Sequence, residues 1–216
     1  MKFTESLWQE NADIYEKILK HPFILELASG SLSIDRFSFY IYQDSLYLNE
    51  FATALAVTGT KAPVSKDKLT FLSFAQNALL VEGLLHENYM DSLPKQDQKG
   101  ASPSALAYTQ YLLATSSLKP YAVSAAALLP CFWIYKRVGD HILAHQAANN
   151  PYQNWINTYA GEEFAQSVSQ MLALVDGIAA QSTVAERDSM RQAYRKATQY
   201  EYMFWDSAYH LEKWPV

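Results

Sequence analysis

The stretch Phe37-Ser38-Phe39-Tyr40-Ile41-Tyr42-Gln43-Asp44-Ser45-Leu46-Tyr47-Leu48-Asn49-Glu50-Phe51-Ala52-Thr53-Ala54-Leu55 decides the fold class. Phe37, Ile41, Asp44, Leu48, Phe51 and Leu55 recur in steps of four and three, so they share one face of a helix. The pattern predicts a helix over about 34–60. Asp44 is the one charge on that face, with Tyr40 and Tyr47 at i−4 and i+3 beside it. An unpaired carboxylate on a buried stripe is costly. It either binds something or is tied to a neighbouring hydroxyl or helix terminus.

Outward from this stretch the chain keeps the same character. An opening helix is predicted over about 3–20, ended by His21-Pro22, with a short helix following to Gly30. Further helices are predicted near 67–92, 103–117, 120–148, 158–180 and 185–212. Gly30-Ser31, Lys61-Ala62-Pro63, Pro94 through Pro103, Lys119-Pro120 and Asn149-Asn150-Pro151 are the breakers. Pro120 suits a first turn and Ser182-Thr183 a cap. The polar stretch Pro94–Gly100 is the longest loop candidate. With no repeat and no alternating strand pattern, the expected architecture is an all-α helical bundle spanning 1–216 as one domain.

Composition narrows the function. Half the residues are hydrophobic, yet none of the apolar runs reaches the ~20 residues a membrane span needs. The opening MKFTESLWQE is amphipathic and acidic, unlike a signal peptide. A formal charge of −5 without a Lys/Arg cluster argues against nucleic acid as a partner. One cysteine fits a reducing compartment, so a cytoplasmic location is expected. The chain carries 15 Tyr, 10 Phe and 5 Trp. Rings with hydroxyls at their edges suit a flat, polar-edged ligand, or else an aromatic core with satisfied hydroxyls.

Three more stripes carry chemistry. The last helix steps through Met190, Tyr194, Ala197, Glu201, Phe204, Ala208 and Leu211, and Glu201 interrupts it. Aromatic surroundings push such a carboxyl's pKa upward, toward a proton shuttle. A buried ion pair with Arg195 or Arg137 is the alternative. The helix near 120–148 aligns Tyr121, Ser124, Leu128, Cys131, Tyr135, Val138 and Ile142, with Pro130 inside it. Its missing N–H leaves a carbonyl unpartnered and bends the axis just before the thiol. Cys131 is a nucleophile or an inert core residue. The helix near 67–92 carries Glu82 and His86 at i,i+4, which reads better as a hydrogen bond than as the i,i+3 edge of a di-iron site. His141 and His145 share that spacing without a matching Glu. Gly-rich phosphate loops, Rossmann fingerprints and Cys-x-x-Cys are absent from the sequence.

Taken together, His21-Pro22-Phe23, Phe39 through Asp44 with Tyr47-Leu48, Leu129-Pro130-Cys131-Phe132-Trp133-Ile134-Tyr135, Tyr159-Ala160 and the run Glu201–Asp206 resemble the TenA family, also called thiaminase II or aminopyrimidine aminohydrolase. The resemblance covers essentially the whole chain and falls in the cysteine-containing branch. It implies a heme-oxygenase-like bundle assembled as a homotetramer. It also implies hydrolysis of 4-amino-5-aminomethyl-2-methylpyrimidine, and of thiamin, to the hydroxymethyl pyrimidine in thiamin salvage, with neither metal nor organic cofactor. By resemblance Cys131 is the nucleophile and Glu201 its acid/base partner. Asp44 holds the amino group and a ring nitrogen of the pyrimidine, and Tyr47 helps activate the thiol. Tyr135 and Tyr159 contact the ring, and Tyr108 forms a further wall. Stripe spacing singles out Asp44, Cys131, Tyr135 and Glu201 by itself; Tyr108 and Tyr159 rest on the resemblance. Two alternatives on the same bundle are a pyrimidine- or thiamin-binding protein without chemistry, and an oxidase using His86 and His210.

Overall fold

The computed structural model describes residues 1–85, 93–94 and 100–216. Its helices are α1 (Phe3–Glu10), α2 (Ala12–Leu19), α3 (Pro22–Ser29), α4 (Ile34–Thr60), α5 (Ser65–Leu85), α6 (Pro103–Leu118), α7 (Tyr121–His145), α8 (Gln153–Ala160), α9 (Glu162–Gln181) and α10 (Val184–His210). Among the described residues there is no strand, so the all-α expectation holds. None of the described helices is long and apolar enough to cross a membrane. The Glu82 side chain, His86 and much of the expected Pro94–Gly100 loop lie outside the described residues.

Three long helices organise the rest. α4 packs on α5 and α6, and α10 packs on α7 and α6. α8 and α9 cover the other side of α7. The stripe of α4 turns inward as its spacing requires, with Phe37, Ile41, Asp44, Leu48, Phe51 and Leu55 all buried. Ser33 caps this helix by accepting the Arg36 N–H, 3.4 Å away. α10 starts on a capping box in which Thr183 and Glu186 each accept the other's backbone N–H. α7 runs through Pro130 without interruption. The absent N–H deprives the Ala126 carbonyl of its helical partner one turn before Cys131.

Two helix boundaries differ from the sequence-based expectation. The opening helix is divided at Asn11 into α1 and α2. Asn11 is buried; its Nδ2 donates to the Leu7 carbonyl at 2.7 Å and its Oδ1 accepts from Arg195 at 3.1 Å. Side-chain hydrogen bonds of this kind compete with the helical ladder, and here they turn the chain onto α10. The second difference is α8, which begins ahead of the helix expected near 158–180 and ends inside it. Asn150 anchors the preceding turn, donating to the Leu27 and Ala28 carbonyls and accepting the Tyr152 N–H. Gly161 then ends α8 and begins α9. The expected start near 158 therefore fails, and Trp155 and Tyr159 come from a short helix of their own.

The crossing of α7 and α8 matters for the site. A Cβ on Gly139 would lie 2.7 Å from the Tyr159 carbonyl carbon and 2.9 Å from the Ala160 nitrogen. Backbone atoms at that range cannot yield cheaply. Gly139→Ala is expected to lower stability by about 1–3 kcal/mol and to displace Tyr159. Urea unfolding measures the first effect; an unchanged midpoint would mean that the two helices do not depend on this close approach.

Candidate active site

Seven residues singled out from the sequence come from five helices and meet in one aromatic chamber. Asp44 and Tyr47 stand on α4, Tyr108 on α6, Cys131 and Tyr135 on α7, Tyr159 on α8 and Glu201 on α10. The Tyr159 hydroxyl donates to Asp44 Oδ2 at 3.3 Å. The Tyr108 hydroxyl donates to Glu201 Oε1 at 2.7 Å. Tyr47 and Tyr108 rings lie 5.1 Å apart, and Tyr135 and Tyr159 rings 4.9 Å apart. Tyr200 stacks on the outer face of Tyr108 at 5.3 Å.

The electrostatics follow from burial. Both carboxyl-bearing residues are 1% exposed. Desolvation raises Asp44 to a pKa of about 7, against the lowering effect of hydrogen bonds from Tyr159 and Tyr40. Desolvation likewise raises Glu201 to about 8, against the Tyr108 hydrogen bond and with repulsion from Asp44. The ion-pair alternative for Glu201 does not form: Arg195 pairs with Asp13, and the Arg137 guanidinium lies over the Trp8 ring.

Cys131 keeps partial accessibility, unlike its neighbours Pro130 and Phe132. Yet the depth of surrounding protein pushes its thiol well above the ordinary value, and the charges of Glu201 and Asp44 add to that. Tyr47 opposes the shift. Its hydroxyl is buried with no hydrogen bond of standard geometry, but it lies near enough to the sulfur to favour the thiolate. Leaving a buried donor without a partner costs free energy.

The sequence reading missed part of the wall. Trp205 stacks on Tyr40 at 5.1 Å and packs 5.0 Å from Tyr135. Trp155 packs 4.7 Å from Tyr159. Trp205 was visible only as part of the Glu201–Asp206 run. Trp155 falls between the breaker Asn149-Asn150-Pro151 and the helix expected from 158; the apolar spacing Trp155, Ile156, Tyr159 is the signal that reveals a short helix. Of the histidines offered for an oxidase, His210 is exposed and bonds to the Asp206 carbonyl, and His86 is not described. His141 and His145 contact each other, rings 4.3 Å apart. Among the described residues, groups of three or more His, Cys, Asp or Glu placed to hold a metal ion are absent.

Fold and site define a helical bundle with a thiol and two neutralisable carboxyls in a chamber of phenols. The same heme oxygenase-like architecture occurs in a domain of unknown function from Shewanella denitrificans, with a TM-score of 0.73, 14% identity and 96% of this chain covered against 92% of that one. More particularly, this chain belongs to the TENA/THI-4/PQQC family, whose model matches residues 8–211. It is 35% identical to the aminopyrimidine aminohydrolase of Bacillus subtilis, over 99% of this chain and 92% of that protein. It is 33% identical to the thiamine biosynthesis multifunctional protein ThiED of Corynebacterium efficiens over 95% of its length, while spanning only 28% of that relative. A TenA homologue from Pyrococcus horikoshii superposes with a TM-score of 0.86 at 26% identity, covering 97% of this chain and 99% of the other.

Burial of two carboxyls has a measurable consequence. Their folded pKa values, about 7 and about 8, lie above those of an unfolded chain, near 4. The folded protein therefore holds more protons, and stability falls as pH rises from about 4 through about 8. At the upper limit each group accounts for about 4 kcal/mol of that fall. Asp44→Asn and Glu201→Gln should each flatten the decline in unfolding free energy between acidic and alkaline buffer. Curves parallel to the wild type would contradict the burial of these groups.

Proposed function

We propose that the protein is an aminopyrimidine aminohydrolase of the thiaminase II type. In this reading it hydrolyses the exocyclic C–N bond of 4-amino-5-aminomethyl-2-methylpyrimidine, and of thiamin, in thiamin salvage. The observation that carries the reading is the meeting of Cys131, Glu201 and Asp44 in one buried chamber lined by phenols. The names of the relatives support it at the level of activity class.

The roles follow from the chemistry of each group. Asp44, held by Tyr159, is a carboxyl that shares one proton with a ring nitrogen and accepts from the adjacent amino group. This pairing favours the amidine-like form of the ring and makes it electron-poor. Tyr135 and Tyr159 offer faces for the ring. The Cys131 thiol gives its proton to Glu201, and the sulfur bonds to a ring carbon. With the aminomethyl compound Glu201 returns that proton to the leaving amine as the C–N bond to the methylene breaks, releasing ammonia. With thiamin the thiazolium leaves as neutral thiazole, taking the C–N electron pair and no proton, and Glu201 gives its proton to solvent. Water adds its oxygen to the methylene and its proton to Glu201. The carbon–sulfur bond then breaks and the thiol regains the proton. The sum is amine plus water giving alcohol plus ammonia or, for cationic thiamin, thiamin plus water giving alcohol, thiazole and a proton, with no electron left over.

The resting thiol is protonated, since burial and two carboxyls raise its pKa. Its ionisation is therefore coupled to Glu201 and to Tyr47. A carboxyl near 8 has both protonation forms accessible close to neutrality, as a shuttle that works in both directions needs.

A paired assay tests the reading. The purified protein receives the aminomethyl pyrimidine or thiamin, and hydroxymethyl pyrimidine is followed by mass spectrometry. Product release abolished by Cys131→Ser is expected, with faster release from the aminomethyl compound. Tight binding without product would favour a binding protein instead. Because the ionised Glu201 accepts the thiol proton, kcat/KM should rise with pH toward about 8. Glu201→Gln should remove that limb and lower kcat by about 100-fold or more; near-normal turnover in this variant would sink the shuttle.

A further inference from the structure

Two consecutive residues of α10 meet the Tyr108 phenol. Its hydroxyl donates to Glu201 Oε1 at 2.7 Å, and the Tyr200 ring stacks on its ring at 5.3 Å and 12°. Tyr47 meets the same ring at 5.1 Å but tilted by 35°. Tyr200 is thus the near-parallel neighbour of Tyr108 among the described residues. The O–H bond of a phenol prefers the plane of its ring, so the tilt of the ring aims the proton, and a hydrogen bond weakens steeply with misalignment. Tyr200 is half-buried and is itself seated. Tyr111 packs on it at 5.3 Å and 37°, and the Tyr111 hydroxyl donates to the Ala193 carbonyl at 3.3 Å. The backbones on either side are tied as well. Just past α10, Glu212 accepts both the N–H and the hydroxyl of Ser104, at 2.8 and 3.0 Å. Ser104 stands one turn before Tyr108 on α6. With α6 joined there to the end of α10, the freedom left to Tyr108 is in its side chain, and stacking limits it.

We infer that Tyr200 is a positioning residue for the proton shuttle: its ring clamps the Tyr108 ring at the tilt that aims the Tyr108 hydroxyl at Glu201. The inference rests on the reading of Glu201 as the shuttle. Tyr200 has no part in the covalent steps, and its effect falls on proton transfer rather than on recognition through Asp44. The other groups facing Glu201 are Asp44 and Tyr47 from α4, Cys131 and Tyr135 from α7 and Tyr194 from its own helix. The Tyr108 bond favours the ionised Glu201, so loosening it moves the ionisation to higher pH.

Steady-state kinetics with the aminomethyl pyrimidine, run as a function of pH, test it. Tyr200→Leu removes the stacking face. It should lower kcat at neutral pH about tenfold with KM nearly unchanged. It should also move the rising limb of the kcat/KM profile up by about one pH unit. Tyr200→Phe keeps the ring and should retain the wild-type limb. Tyr200→His, with a smaller ring, should fall between the two, and it replaces Tyr200→Leu as the test if that variant does not fold. Tyr108→Phe removes the hydroxyl being aimed, so Tyr200→Leu should add nothing to its limb or its kcat in the double variant. Additive effects overturn the clamp, as does a fall in unfolding free energy with kcat and limb unmoved. Glu201→Gln separates the two failures. Near-normal turnover there sinks the shuttle reading itself, whereas a crippled Glu201→Gln beside a silent Tyr200→Leu sinks the clamp alone.

Discussion

The hydrogen bonds from phenol hydroxyls to two buried carboxyls organise this protein. Tyr108 holds Glu201 and Tyr159 holds Asp44, in each case without a cation as partner among the described residues. A cation would have kept both carboxyls ionised and inert. A phenol stabilises the charge less, so desolvation prevails and both groups rise toward neutrality. The two bonds also join distant parts of the chain, α6 to α10 and α8 to α4. The site and the bundle are therefore held by the same contacts.

The price of such a site is visible in its surroundings. Raised carboxyl pKa values mean lost stability at neutral and alkaline pH, a cost carried by the aromatic core around Tyr40, Trp155, Phe204 and Trp205. The rings exclude water from most of the chamber and supply hydroxyls at selected edges. The Tyr47 hydroxyl and the Trp205 indole N–H are buried there without a hydrogen-bond partner.

Much of this was legible in the residues. The step of four and three in α4, α7 and α10 indicated inward faces, and Asp44, Cys131 and Glu201 were conspicuous because each broke an apolar stripe. Asn11 and the segment around Trp155 were not legible. At Asn11 the helical period continues, and only the tertiary bonds to Leu7 and Arg195 divide the helix. Around Trp155 the breaker Asn149-Asn150-Pro151 dominates the local signal, while the stability of α8 comes from packing against α7.

The sequence by itself determined the fold class and which side chains point inward, because a period of 3.6 residues assigns every position to a face. Tertiary structure alone decided which inward groups meet. Arg195 went to Asp13, leaving Glu201 to Tyr108; Tyr159 reached Asp44 from a helix the periodicity had not delimited. Periodicity describes one helix at a time. Partnership across five helices depends on how they cross, and Gly139 lets α7 and α8 cross closely enough to bring Tyr159 within reach.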